Sequence, residues 1–139
     1  MTLALTAQEV MDYMAAEFPQ VKDDFAIDAL SEDAITLRLL VAERHLRPGG
    51  TVSGPSMFAL ADCAVYAMVL ARVGRKALAV TISCSMDFMR KPAAGVDVIS
   101  KCRLLKLGRA LAVGDMLLYS EGDERPVARA SMTYSIPPK

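Results

Sequence analysis

The 139-residue chain balances 16 lysines and arginines against 16 aspartates and glutamates, and 53% of its residues are hydrophobic. A length of this kind suits one domain over residues 1–139, and zero net charge with 6% aromatics excludes the positive field and stacking surfaces of a nucleic-acid binder. Three widely spaced cysteines and a single histidine, His45, argue against a zinc site or a disulfide framework and fit a reducing cytoplasm, while the surplus of apolar residues points to burial between subunits and so to a homo-oligomer.

Thr6-Ala7-Gln8-Glu9 reads as a capping box that opens a helix. Val10, Met11, Met14, Ala15 and Phe18 recur at helical spacing until Pro19 stops it. Two strands follow, one over residues 25–30 and one with Ile35, Leu37, Leu39 and Val41 on one face and Thr36 and Arg38 on the other. Residues 47–54 form a turn-rich loop, and Pro55 suits the first turn of a helix. The helix predicted over residues 55–73 is apolar around nearly its whole circumference and should be buried, with Gly74 ending it. Its apolar run, 57–70, is interrupted by Asp62 and is too short to span a bilayer, so no membrane role is expected.

Beyond Gly74 the period changes to two. Leu78, Val80, Ile82, Cys84, Met86 and Phe88 alternate with Ala79, Thr81, Ser83, Ser85 and Asp87 as one long strand. Three more strands, over 96–105, 110–119 and 127–136, are separated by turns at 106–109 and 121–124 and must run antiparallel. The economical architecture is α+β: an antiparallel sheet curled around the long helix, with an additional N-terminal helix.

Asp62 is the anomaly, a carboxylate in a helix that otherwise reads as buried. No basic residue stands three or four positions away. Desolvation opposes its charge and the positive end of the helix favours it. Such a group is suited to act as a general base or nucleophile, or it simply faces water or a neighbouring subunit. Gly54 brings the first amide of the helix, able to polarise a carbonyl, but a turn glycine would read the same way. The hydroxyls of Thr81, Ser83 and Ser85 share one strand face and are either a water-holding set or a solvated surface. Tyr66, one turn after Asp62, could bond to it or belong to the core. Arg90 and Lys91 form a small basic spot, either solvated or in contact with phosphate. His45 reads as structural or surface.

The stretch Gly50-Thr51-Val52-Ser53-Gly54-Pro55-Ser56-Met57-Phe58-Ala59-Leu60-Ala61-Asp62, with the later Ser85-Met86-Asp87-Phe88-Met89-Arg90-Lys91-Pro92-Ala93, resembles the hot dog fold thioesterases of the phenylacetic-acid-degradation (PaaI-like) type. The likeness runs from about residue 35 to 135. It implies an acyl-CoA thioesterase needing no metal or cofactor, with an acyl-CoA or acyl-carrier thioester as substrate. It implies that Asp62 activates water or attacks the carbonyl, that the Gly54 amide polarises it and that Thr81 holds the water. It also implies sites shared between the two chains of a dimer, with dimers pairing into tetramers. Ser53 stands where the family has histidine, Pro55 replaces a second glycine, and Arg47 stands where an asparagine is common. Ser53, Pro55 and Arg47 thus border the expected substrate site, and Met57 and Phe58 are placed to shape its acyl pocket. The altered motif leaves a non-catalytic acyl-CoA-binding protein as the alternative. A dehydratase is the weaker third reading, since His45 lies outside the expected positions.

Overall fold

The computed structural model describes residues 3–138. Helix α1 (Ala7–Glu17) opens on the expected capping box: the Glu9 amide donates to Thr6 Oγ1 at 3.1 Å and the Thr6 amide to Glu9 Oε1 at 2.9 Å. It buries Val10 and Met14 and leaves Phe18, just past its end, partly exposed. Strands β1 (Phe25–Leu30) and β2 (Ala34–Leu39) form a hairpin, and Ile35, Leu37 and Leu39 turn inward at the predicted period of two.

Helix α2 (Gly54–Val73) is the centre of the molecule, with twelve of its twenty residues buried. By length and composition it would pass as a membrane span, but a six-stranded antiparallel sheet of the same chain wraps it. The sheet adds β3 (Val80–Phe88), β4 (Val98–Leu107), β5 (Leu111–Ser120) and β6 (Pro126–Ser135) in the order β1-β2-β4-β5-β6-β3. This is the hot dog arrangement expected from the sequence. The helix can be apolar on every side because strands β2, β4, β5 and β6 all turn buried residues toward it.

Helix and sheet approach each other closely at Gly114 on β5. A Cβ there would lie 2.9 Å from Val65 Cγ2 and 3.3 Å from Cys102 Sγ, so only glycine lets α2 settle to this depth.

Strand β3 has two distinctive features. Among the described residues it lies at the edge, paired only with β6, and its apolar residues are open: Val80 is 53% exposed, Ile82 56% and Phe88 52%. Its alternation is also broken. Thr81 pairs with Tyr134 but Ser83 pairs with Thr133, so a bulge at Ile82 shifts the phase. Thr81 therefore faces the helix side with Cys84, Met86 and Phe88, while Ser83, Ser85 and Asp87 face outward. The single hydroxyl face expected for Thr81, Ser83 and Ser85 does not exist.

Overpacking at the helix–sheet contact should be costly. Gly114→Ala is expected to lower unfolding free energy by about 1–3 kcal/mol, read from urea denaturation. Adding Val65→Ala should return part of that loss; a double variant no more stable than the single would show that the contact does not set the helix depth.

Candidate functional site

Asp62 stands in the third turn of α2, half-buried, on the side of the helix that meets β3 and β6. Thr81 Oγ1 donates a hydrogen bond to Asp62 Oδ1. Tyr134, from β6, donates its phenol proton to the same oxygen at 2.9 Å, and its hydroxyl also lies 3.2 Å from the Asp62 carbonyl. The two hydroxyls come from neighbouring strands because Thr81 and Tyr134 are register partners, which the Ile82 bulge makes possible. An open cleft of about 460 Å³ lies over the group, walled by Phe18, Tyr66, Ala79 and Val80, with Glu17 also on its lining.

The electrostatics around Asp62 are one-sided. Burial, reinforced by the Asp62 charge, raises the Tyr134 phenol well above its ordinary range, so it keeps its proton and stays a donor. Burial likewise pushes the Cys63 thiol up to about 12, with Asp62 adding to the effect. No cation neutralises the carboxylate by ion pairing among the described residues; its partners are two neutral hydroxyls.

A second cluster forms at the start of α2. The first helical amides have distinct fates. The Ser56 amide donates to the Ser53 side chain at 3.2 Å, making Ser53 the helix cap, and the Met57 amide bonds to the Ser53 carbonyl at 3.1 Å. Pro55 has no amide proton. The Gly54 amide is thus the one donor of the opening turn without an acceptor among the described residues. Gly54 lines a cleft of about 400 Å³ with Arg47, Met57, Phe88, Arg90 and Lys91. The Phe88 ring covers it, 3.6 Å from where a Cβ would be. Phe58 is not on this lining and is 37% exposed instead.

Asp62 stands eight positions after Gly54 on the helix, about 12 Å along the axis. Within one chain the two clusters lie in separate clefts, and a single thioester carbonyl cannot touch both. Strand β3 links them: Thr81 near its start touches Asp62, and Phe88 at its end covers Gly54.

The remaining candidates fall elsewhere. Tyr66 does not bond to Asp62; its hydroxyl donates to the Ala77 carbonyl at 3.3 Å and its ring stacks on Tyr134 with centroids 6.1 Å apart. His45 is buried and structural: Nδ1 accepts from the Ala42 amide at 2.9 Å and Nε2 lies 3.0 Å from Asp24 Oδ1. Tyr134 escaped the sequence reading, because in a strand of alternating residues a tyrosine looks like core; only its registration beside Thr81 reveals it.

Comparison with known proteins bears on this arrangement. A model of the thioesterase superfamily matches residues 49–127, a span that includes Gly54, Asp62 and Thr81. A Silicibacter protein of known crystal structure, described as a thioesterase, is 63% identical, with a TM-score of 0.93 over 99% of this chain and 96% of that one. The phenylacetic acid degradation protein PaaI of Thermus thermophilus, in a variant structure, is 28% identical with a TM-score of 0.72, covering 86% of this chain and 99% of that one. A curated Pseudomonas aeruginosa protein described as an esterase is 32% identical over 111 residues, 79% of each chain.

The thiol beside Asp62 offers a check on the electrostatics. A thiol raised to about 12 is uncharged at neutral pH and a poor nucleophile. Iodoacetamide at pH 8 should therefore leave Cys63 unmodified in the folded protein, by peptide mass spectrometry, and label it once urea unfolds the chain. Rapid labelling without urea would contradict the enclosed environment.

Proposed function

Because the chain belongs to the thioesterase superfamily, we propose that it hydrolyses acyl-coenzyme A, with Asp62 driving attack on the thioester carbonyl and the Gly54 amide polarising it. In the reaction a water oxygen bonds to the carbonyl carbon, Asp62 takes the water proton, the carbon–sulfur bond breaks, and the thiolate leaves with a proton. The products are a free acid and a thiol. The observation that carries the reading is a half-buried carboxylate held by two hydroxyls in an open cleft of a thioesterase-superfamily chain. Carboxylate chemistry of this kind contributes about 10²- to 10⁴-fold to rate.

The active unit is a dimer built on the β3 edge. An exposed apolar edge strand is a template for pairing with another copy. Antiparallel pairing about a two-fold axis near Cys84 sets Thr81 of one copy opposite the 87–88 end of the other. That brings Asp62 toward Gly54 of the partner subunit, joining the clusters that one chain keeps apart. Arg47, Arg90 and Lys91 around Gly54 then supply positive charge for the phosphates of the coenzyme.

One observation favours a binding-only protein instead: with Pro55 at the second helical position, a single amide remains to stabilise a developing oxyanion. A thiol-release screen over short, medium, long and aromatic acyl-CoA substrates separates the two. Turnover supports hydrolysis; saturable binding with no thiol released supports the binder. Where turnover is found, Asp62→Ala should cut kcat/KM at least about 10²-fold with the oligomer intact. Unchanged activity would remove Asp62 from the mechanism.

Sharing of the site can be tested by complementation. Gly54→Pro removes the amide, and the extended Ser53 backbone (φ −76°, ψ 156°) already suits a residue preceding proline. Asp62→Ala and Gly54→Pro proteins should each be inactive. Refolded together they should regain about one quarter of wild-type activity, since half the dimers carry one intact site. No recovery, with mixed dimers present by mass spectrometry, would place both groups of a site in one chain.

A further inference from the structure

We infer that Tyr134 is a positioning residue of the proposed hydrolysis: its hydroxyl, with that of Thr81, fixes Asp62 through one oxygen so that the other is left to act. The inference rests on the hydrolase reading, but the geometry beneath it does not. Both donors converge on Oδ1. Among the described residues no hydrogen bond reaches Oδ2. A carboxylate has room for about four hydrogen bonds, two at each oxygen. Filling one oxygen with two donors stops the group from turning about its terminal bond, whose torsion is otherwise broad. Oδ2 is then the oxygen available to accept the proton of water.

Tyr134 is built for that task rather than for filling the core alone. It is 3% exposed, so its hydroxyl must find an acceptor inside the protein, and it finds the carboxylate. Its ring is held by the stack on Tyr66, whose own hydroxyl is tied to the Ala77 carbonyl. The Ala77 amide in turn donates to the Tyr13 hydroxyl of α1 at 3.2 Å, so the support reaches back to the N-terminal helix. The raised phenol keeps its proton across the working range, which preserves the direction of the bond.

Tyr134→Phe deletes only the oxygen and leaves the ring. It should lower kcat about 10- to 100-fold, the factor that corresponds to a lost hydrogen bond to a charged group. KM should stay within about twofold, because the phenol hydroxyl is engaged by Asp62 Oδ1 at 2.9 Å rather than held free for a ligand. A second readout needs no turnover: crystal structures should show one orientation of the Asp62 carboxylate about its terminal bond in the wild type and a turned or split orientation in Tyr134→Phe, with Thr81→Val as a parallel variant. An unchanged kcat with the single orientation retained would reduce Tyr134 to a core aromatic and overturn the inference. If the wild type releases no thiol from any substrate, the hydrolase reading fails alone, and the carboxylate orientation decides the role of Tyr134 by itself.

Discussion

The structure depends on one demand: a helix with no polar face must be enclosed. Helix α2 is apolar around most of its circumference, so the sheet has to curl around it rather than lie flat beneath it. Everything at the candidate site follows from where that enclosure is left incomplete. On the flank where β3 and β6 meet the helix, Asp62 occupies a position that an apolar residue fills elsewhere along α2. Its desolvation is offset by hydroxyls donated from both strands. The interruption that Asp62 makes in the helix's apolar pattern is thus a point at which helix and sheet are tied together by hydrogen bonds.

Much of this was legible from spacing. The capping box at Thr6, the apolar circumference of α2 and the alternation in β2 each encode a local preference that the fold obeys. Asp62 stood out for the same reason: a charge in an apolar context is conspicuous even in one dimension. What could not be read was whatever depends on pairing between distant strands. The order of the sheet places β3 beyond β6, although β4 follows it in the chain. The bulge at Ile82 costs one residue of phase, and a pattern of strict alternation conceals it. Tyr134 lies seventy-two residues from Asp62 in the chain and carries no local mark of its role.

The opening of α2 shows a different economy. A helix start offers several unpaired amides, and this one uses nearly all of them internally: Ser53 and its carbonyl take two and Pro55 removes a third. The result is a rigid, well-capped start with a single outward donor at Gly54. Such a start is stable at the expense of a second donor that a glycine at position 55 would have provided, and it confines any carbonyl partner to one direction of approach.

The bare backbone at Gly114 governs more than core volume. Val65, which presses against it, lies three residues from Asp62 on the same helix. The seating of the helix there also sets the span between the carboxylate and its two hydroxyl anchors. A side chain added on the remote strand would act like a shim under a lever: displacing α2 by a few tenths of an ångström would stretch the bonds at Asp62 without altering any residue in the cleft. Loss of turnover in this fold can therefore originate in a position that no substrate ever meets.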